Sequence, residues 1–165
     1  KGNQIGKSIK EENCEKIIDE IFETSKQHSC SIIFPIDVLV GKNLNSVSKT
    51  KELNEIEEDD LILDIGPKTI NIIQKVIKNS ETVLWNGPAG YFENPNFANG
   101  SYEIAKAITN KNKNNSIYSV VGGGDTIALI NKIRLIENFN FVSTAGGAFL
   151  EYLEGKELPG IKALN

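Results

Sequence analysis

Three consecutive glycines, an acid and a hydroxyl residue form the stretch of this sequence best suited to chemistry. Gly122-Gly-Gly-Asp-Thr126 follows an apolar, β-branched run and precedes an apolar segment of helical character. That order predicts a strand, a tight turn and a helix N-terminus, where unpaired N–H groups and the helix dipole favour phosphate. Asp125 can cap the helix or hold a metal ion, and Thr126 adds a hydroxyl group. Taken alone, the stretch fits a glycine-rich turn with an aspartate cap better than a ligand site.

Three further turn-rich loops also follow apolar runs. They are Asp64-Ile-Gly-Pro67, Asn86-Gly-Pro88 and Thr144-Ala-Gly-Gly147. In open parallel sheets, ligands bind beyond the carboxyl ends of the strands. Four such loops on one edge of a sheet would indicate a ligand that carries phosphate.

The elements that must position these loops alternate between strand and helix. Strand-like apolar runs occupy 31–40 (interrupted by Pro35), 61–65, 82–85, 117–121 and 139–143. Helical periodicity or helix-start signals mark 8–28, 66–79, 100–110, the segment after the glycines to about 133, and 149–154. Nearly continuous apolar strands that alternate with helices are typical of an α/β fold, in which helices cover both faces of a parallel sheet.

Two segments show no such pattern. Residues 41–55 are polar and predict a surface loop or a small excursion of the chain, and the acidic run 55–60 predicts a solvated linker. Trp85 is expected in the core, as large aromatic residues usually are. The single histidine, His28, is expected at a surface or a helix end rather than in catalysis.

Composition excludes several classes of function. The 165 residues can form one domain with a real core, and the net charge of −4 argues against nucleic-acid binding through bulk charge. The longest apolar stretch, 32–40, is too short to span a bilayer and contains Pro35 and Asp37. Cys14 and Cys30 form no CxxC pair, so a zinc site is not expected, and reduced cytosolic thiols are the default.

Several motifs together make the sequence resemble the phosphoglycerate kinase family across essentially its whole length. They occur in the family's order: Leu63-Asp-Ile-Gly-Pro-Lys-Thr69, Val83-Leu-Trp-Asn-Gly-Pro88 with Phe92-Glu93, Gly122-Gly-Gly-Asp-Thr126, Ser143-Thr-Ala-Gly-Gly-Ala148 and Leu150 to Pro159. The resemblance implies a three-layer, Rossmann-like parallel sheet with helices on both faces. It further implies that residues 1–165 form the latter part of the C-terminal, nucleotide-binding domain, which is an incomplete domain, and that the N-terminal substrate domain is absent from this chain.

The same resemblance implies a role for each site residue. Asp125 would hold Mg²⁺, and Gly123, Gly124 and Thr126 would donate to the phosphates of ADP or ATP. Glu93 would bind the ribose hydroxyls.

Asn86 and Pro88 would lie beside the nucleotide, and the loop from Asp64 to Gly66 near the adenine pocket. Structural roles stay open for three of these residues: Asn86 could cap a turn, Pro88 could stiffen it, and Asp64 could be a structural cap. Gly146 and Gly147 would contact the phosphoryl group during transfer. The family usually has three glycines where this sequence has Ala145 and two glycines, which bears on the geometry near that group.

The implied function is reversible phosphoryl transfer in glycolysis, between 1,3-bisphosphoglycerate with ADP and 3-phosphoglycerate with ATP. The resemblance places it in the cytoplasm, in an enzyme whose full-length form is a monomer that binds neither nucleic acid nor membranes. The 165-residue chain by itself is expected to be inactive, because 3-phosphoglycerate binds to the missing domain. Two alternatives stay open: a stand-alone, non-catalytic nucleotide-binding or structural remnant and, more remotely, a dinucleotide-dependent dehydrogenase, for which no GxGxxG motif is present.

Overall fold

The computed structural model describes residues 2–114 and 116–164. Its strands are β1 (Asp37–Gly41), β2 (Lys49–Glu52), β3 (Leu61–Ile65), β4 (Thr82–Asn86), β5 (Tyr118–Gly122) and β6 (Phe141–Ser143). Its α-helices are α1 (Glu15–Gln27), α2 (Pro67–Asn79), α3 (Asn99–Asn112), α4 (Gly124–Lys132), α5 (Gly147–Leu153) and α6 (Pro159–Lys162). Short 3₁₀ turns occupy Leu53–Glu55, Pro95–Phe97 and Ile136–Asn138.

The strands form two sheets. β4, β5 and β6 make a parallel sheet with β5 in the centre, and helices pack against it. This confirms the α/β class and an open parallel sheet. β1 and β3, which were expected in the same sheet, instead pair antiparallel in a separate sheet of order β2–β1–β3. Of the four loops expected on one edge, the one after β3 therefore starts from a different sheet.

The second sheet depends on a strand and an ion pair that the local pattern did not indicate. β2 lies within the expected surface loop 41–55, and its Lys51 is buried with Nζ 2.7 Å from Oδ2 of Asp60. Asp60 is also buried, so the expectation that 55–60 is a solvated linker is wrong at this position. Burial raises the pKa of Asp60, but hydrogen bonds from Lys51, from the N–H of Glu57 and from Lys42 outweigh burial and hold the pKa well below its usual range.

The N-terminal region also differs from expectation. α1 was expected from residue 8 but begins at Glu15, because Asn13 has a left-handed φ of 56° that interrupts a helix. His28 caps the C-terminus of α1, as expected. The first strand was expected from residue 31 but begins at Asp37, after Pro35, which has no N–H to donate to a sheet.

The main core lies around the parallel sheet. Its buried side chains include Trp85, Ile108, Val121, Leu129 and Ile130, from β4, α3, β5 and α4, which confirms the expected core position of Trp85. None of the helices within the described ranges combines the length and the apolar character that crossing a bilayer requires.

Candidate functional site

Three of the four predicted loops begin from one row of the parallel sheet. Asn86 pairs with Gly122, and Gly122 pairs with Ser143, so the last residues of β4, β5 and β6 lie side by side in register. The chain leaves the sheet from this row into 86–90, 123–126 and 144–147. The structure therefore brings together the loops that carry most of the predicted site residues.

The triple-glycine turn leads directly into a helix. Gly123 has a φ of 88° and is the N-cap of α4, which begins at Gly124. A Cβ atom on Gly123 would lie 3.0 Å from Oδ1 of Asn86, so the amide of Asn86 flanks the turn closely. A Cβ atom on Gly124 would meet none of the described residues within 4 Å. The first turn of α4 thus offers backbone N–H groups beside an open surface.

Asp125 lies in the first turn of α4 and is exposed. It does not cap the helix with its side chain, and within 2–114 and 116–164 its carboxylate has no hydrogen bond or ion pair. The carboxylate oxygens are therefore free to bind a cation. Oxygen ligands are the ones that Mg²⁺ prefers, and a Mg²⁺ ion bound to a nucleotide commonly uses only one or two protein carboxylates.

Thr126 is fully buried, and its hydroxyl oxygen accepts a hydrogen bond of 2.7 Å from the N–H of Gly87. Gly87 has a φ of 97°, and its carbonyl oxygen accepts a hydrogen bond of 2.8 Å from Nε1 of Trp85. Thr126 thus ties the loop after β4 to the helix after β5. Its predicted contact with phosphate remains a prediction.

Pro88 lines a pocket of about 350 Å³ between the loop after β4 and the end of β3. Leu63, Asp64 and Ile65 form the β3 side of the pocket, and 88–91 form the other side. The N–H of Tyr91 donates to the carbonyl oxygen of Leu63 at 2.8 Å and joins the two walls. Although β3 belongs to the other sheet, its end therefore lies beside the predicted site.

Asp64 is buried at the end of β3 and caps α3. Its Oδ2 accepts a 2.8 Å hydrogen bond from the N–H of Gly100, in the first turn of that helix. Burial raises the pKa of Asp64, and hydrogen bonds from the backbone N–H groups of Gly100, Ile65 and Asn99 offset part of this rise. The main role of this carboxylate in the structure is to hold α3 against β3.

Gly66 precedes α2 and is packed against a buried acid. Its N–H donates to the carbonyl oxygen of Asp37 at 2.9 Å, and a Cβ atom on Gly66 would overlap the Asp37 carboxylate. That carboxylate accepts hydrogen bonds from the N–H groups of Lys68 and Thr69 at 2.9 and 2.8 Å. The anion at the N-terminus of α2 is thus the protein's own Asp37, and the structure does not bring Gly66 into the row of Asn86, Gly122 and Ser143.

Glu93 is exposed, and its carboxylate has no partner among the described residues. The carbonyl oxygen of the preceding residue, Phe92, accepts a 3.3 Å hydrogen bond from Nζ of Lys132. Lys132 is the last residue of α4, so Phe92 lies near the end of that helix opposite to Asp125. A ligand that contacts both Glu93 and Asp125 would have to be extended.

Gly146 and Gly147 are exposed at the start of the seven-residue helix α5. Gly146 has a φ of 57°, which favours glycine, whereas Ala145 is not among the residues with positive φ. The methyl group of Ala145 is therefore compatible with the backbone of this loop. Phe149 of α5 packs over the backbone of Gly122, where a Cβ atom would lie 2.8 Å from its ring.

Two other features could be mistaken for the site. In the described part of the chain, the acidic group that could hold a metal is Glu57, Asp59 and Asp60, but these carboxylates pair with Lys42 and Lys51. A wide, open cleft of about 1,230 Å³ along α1 is larger than the pocket beside Pro88. Its lining residues include none of the predicted site residues, so neither feature replaces the row of strand ends.

A family model described as phosphoglycerate kinase matches residues 1–156. The chain belongs to the phosphoglycerate kinase family. Among curated members, the phosphoglycerate kinases of Dictyoglomus turgidum and Zymomonas mobilis are 44% and 42% identical over 165 residues. These alignments cover 99% of this chain but only 41% and 42% of the two relatives, so the chain spans less than half the length of the relatives it matches.

Solved structures of phosphoglycerate kinases have the same fold. The enzyme of Coxiella burnetii matches with a TM-score of 0.90 at 37% identity, over 99% of this chain and 42% of that one. The enzyme of Pyrococcus horikoshii matches with a TM-score of 0.70 at 29% identity, over 99% and 40%. The two-sheet arrangement is therefore one that fits within a larger phosphoglycerate kinase fold.

Sequence reasoning missed several residues that shape the site. Ser101 is buried in the first turn of α3 and accepts a 2.8 Å hydrogen bond from the N–H of Ala89. Asp37 caps α2 from a distant part of the chain, and Phe149 covers Gly122. A buried serine has no sequence signal of its own, because its partner lies on another segment.

Proposed function

We propose that residues 1–165 form the latter part of the nucleotide-binding domain of a phosphoglycerate kinase and that they bind ADP or ATP with Mg²⁺. The observation that carries this proposal is the register of Asn86, Gly122 and Ser143, from which three turn-rich loops leave the sheet together. Ligands of such sheets bind at the carboxyl ends of the strands. Membership of the phosphoglycerate kinase family makes a nucleotide the expected ligand.

The phosphates would bind at the start of α4. Gly123 and Gly124 present backbone N–H groups there, and the absence of a side chain at Gly124 leaves the surface open. The positive end of the helix dipole adds to the attraction for an anion. Thr126 is fully buried, so it would act by fixing Gly87 rather than by contacting the phosphates directly.

Mg²⁺ would bind to Asp125, whose exposed carboxylate fits the oxygen chemistry of this ion. The ion would neutralise charge on the phosphate oxygens of the nucleotide. Asp125 would therefore contribute to the affinity for the metal complex much more than to the affinity for the free nucleotide.

The nucleoside would extend from this helix toward β3. The pocket of about 350 Å³ between Pro88 and the Leu63–Ile65 wall would receive the base, near the loop that ends at Gly66. Asn86 would lie beside the phosphates or ribose, and Glu93 would accept hydrogen bonds from the ribose hydroxyls, since a carboxylate has two acceptor oxygens for a diol.

The reaction would be an in-line transfer that involves no covalent intermediate on the protein. An oxygen of the β-phosphate of ADP attacks the acyl phosphate of 1,3-bisphosphoglycerate, the bond from phosphorus to the carboxyl oxygen breaks, and ATP and 3-phosphoglycerate result. Gly146 and Gly147 would stabilise the transferring group with backbone N–H groups, because such reactions depend on positioning and charge stabilisation. The acid substrate would bind to the other domain of the enzyme. The enzyme would act in the cytoplasm.

Calorimetric titration of the 165-residue chain tests the nucleotide site. We expect saturable binding of Mg-ADP and weaker binding of ADP in the presence of a chelator, with circular dichroism recorded on the same sample to verify folding. A folded chain that binds neither form would refute the proposed site.

A chimera separates catalysis from binding alone. In it, residues 1–165 replace the matching segment of the Zymomonas mobilis phosphoglycerate kinase, and ATP formation from 1,3-bisphosphoglycerate is measured. A folded chimera that binds Mg-ADP without turnover would support the alternative, a non-catalytic nucleotide-binding protein.

A further inference from the structure

Two buried hydroxyl groups hold the loop after β4 on either side of Pro88. The oxygen of Thr126 accepts the N–H of Gly87 at 2.7 Å, and the oxygen of Ser101 accepts the N–H of Ala89 at 2.8 Å. Pro88 itself has no N–H group, so these are the two backbone donors nearest to it. The hydroxyls come from the first turns of α4 and α3, two helices that begin far apart in the sequence.

Ser101 is completely buried, and its bond to Ala89 crosses between segments. Serine hydroxyls in the first turn of a helix commonly bond to the backbone of their own helix. Here the cap of α3 is supplied by Asp64 instead, which accepts the N–H of Gly100. The hydroxyl oxygen of Ser101 is thereby left to fix a neighbouring loop.

The surroundings leave this loop little freedom. A Cβ atom on Gly90 would lie 2.5 Å from Oδ1 of Asp64 and 2.7 Å from the carbonyl oxygen of Leu63. The N–H of Tyr91 donates a hydrogen bond to the same carbonyl oxygen of Leu63. Ala89 is thus held between Ser101 on one side and the end of β3 on the other, and both hold the wall of the pocket beside Pro88.

We infer that Ser101 is a positioning residue of the nucleotide site, which fixes the 88–91 wall of the base pocket through the N–H of Ala89 without contacting the ligand. This inference rests on the proposed function, because it assigns the pocket to the base. It separates two parts of the site: Ser101 acts on the pocket side, and the glycine turn before α4 acts on the phosphate side.

The first measurement needs no ligand. In Ser101→Ala, the N–H of Ala89 loses its acceptor, and we expect its hydrogen exchange in the full chain to rise about tenfold, as the loss of one buried hydrogen bond predicts. Thr109→Val is the matched control, because Thr109 is a buried hydroxyl residue of the same helix whose hydroxyl donates to the carbonyl oxygen of Ala105 within α3. Unchanged exchange at Ala89 in Ser101→Ala would overturn the inference.

The second measurement compares two ligands. We expect Ser101→Ala to weaken Mg-ADP binding about tenfold relative to Thr109→Val, and to change the binding of Mg-pyrophosphate, which has no base, by less than about twofold. A Ser101→Ala variant with faster exchange at Ala89 but with the Mg-ADP affinity of the control would show a purely structural role and overturn the inference. Equal losses for both ligands would do the same.

Two further outcomes remain decisive. If Ser101→Ala does not fold, Ser101→Cys fills the site with a slightly larger side chain whose sulfur is a weaker acceptor, and the same comparisons apply with smaller expected changes. If the wild-type chain binds no Mg-ADP although it is folded, the proposed function fails, and the exchange of Ala89 alone decides whether Ser101 fixes this loop.

Discussion

The hydroxyl oxygen of Thr126 lies 2.7 Å from the backbone nitrogen of Gly87 and accepts its hydrogen bond. This single contact joins the first turn of α4 to the loop after β4, 39 positions earlier in the chain. Because Asp125 and Gly124 lie in the same turn, the contact also sets the position of the phosphate side of the proposed site relative to Asn86. The geometry of the site therefore depends on a buried residue that the ligand need not touch.

Two substitutions of Thr126 should distinguish how much its acceptor oxygen and how much the packing of its side chain contribute to stability. Thr126→Val keeps the shape but leaves the N–H of Gly87 unpaired, which should lower the free energy of unfolding by about 1–3 kcal/mol. Thr126→Ser keeps the oxygen and loses one methyl group, which should cost about 1 kcal/mol. Urea unfolding and hydrogen exchange at Gly87 measure both effects. Faster exchange in the serine variant than in the valine variant would contradict the role assigned to the oxygen.

Adjacent glycines in the turn should respond oppositely to alanine. Gly123 has a φ of 88°, and a Cβ atom added there would lie 3.0 Å from Oδ1 of Asn86. Gly123→Ala should therefore lower the free energy of unfolding by about 1–2 kcal/mol. Gly124 lies in α4 with open space beside it, so Gly124→Ala should be neutral or stabilise the chain by up to about 1 kcal/mol.

Binding should not follow stability in these two variants. The methyl group of Gly124→Ala would project into the proposed phosphate seat, so we expect a more stable chain with a higher dissociation constant for Mg-ADP. Thermal unfolding and calorimetry on the same preparations give the two quantities. A Gly124→Ala variant that binds Mg-ADP as tightly as the wild type would place the phosphates elsewhere.

Asp125 should matter for the metal complex and little for the fold. Its carboxylate is exposed and does not cap α4, so Asp125→Ala should change stability by less than about 1 kcal/mol, mainly through the helix dipole. We expect it to weaken Mg-ADP binding by at least tenfold and to weaken ADP binding without metal by much less. Asp19→Asn, which removes one negative charge from the exposed surface of α1, controls for net charge. Equal losses with and without Mg²⁺ would remove the metal role.

Local pattern predicted the parts of the fold that depend on neighbours in sequence. Pro67 marks the start of α2, and the apolar run before the glycines forms β5, which a turn joins to α4, as the strand–turn–helix signals indicate. The starts of α1 and β1 were less predictable. Ile9 fits the helical spacing of the following isoleucines but is fully exposed, because the left-handed Asn13 separates it from α1.

The antiparallel sheet was not predictable in this way, because polar residues in contact over long distances define it. Lys51 and Asp60 look like surface charges in sequence, yet both are buried, because they form an ion pair with each other. The candidate site shows the same division. Sequence motifs indicated Gly123, Gly124 and Asp125, whereas Ser101 and the orientation of Thr126 depend on hydrogen bonds to a different segment.

Asp37 gives a prediction for the pH dependence of stability. Its carboxylate is buried at the N-terminus of α2 and accepts hydrogen bonds from the hydroxyl of Thr69 at 2.6 Å and from the N–H groups of Lys68 and Thr69. Burial raises the pKa of Asp37, but these hydrogen bonds outweigh burial and hold the pKa below its usual value of 3.8. The ionised form is therefore favoured more in the folded chain than in the unfolded chain.

A lowered pKa means that Asp37 stabilises the fold above the unfolded value near 3.8 and that this contribution is lost as pH falls through the folded pKa. Asp37→Asn should thus be least stable relative to wild type near neutral pH, and the two free energies of unfolding should converge as pH falls below 3.8 and through the folded pKa of Asp37. Asp60, whose pKa is also lowered, remains in both proteins, so both should lose stability in acid. Urea unfolding at pH 7, 5, 4 and 3 measures the difference, with Asp19→Asn as the exposed control. Parallel curves for wild type and Asp37→Asn would mean that the charge of Asp37 contributes nothing to the cap of α2, and that its oxygens act only as neutral acceptors.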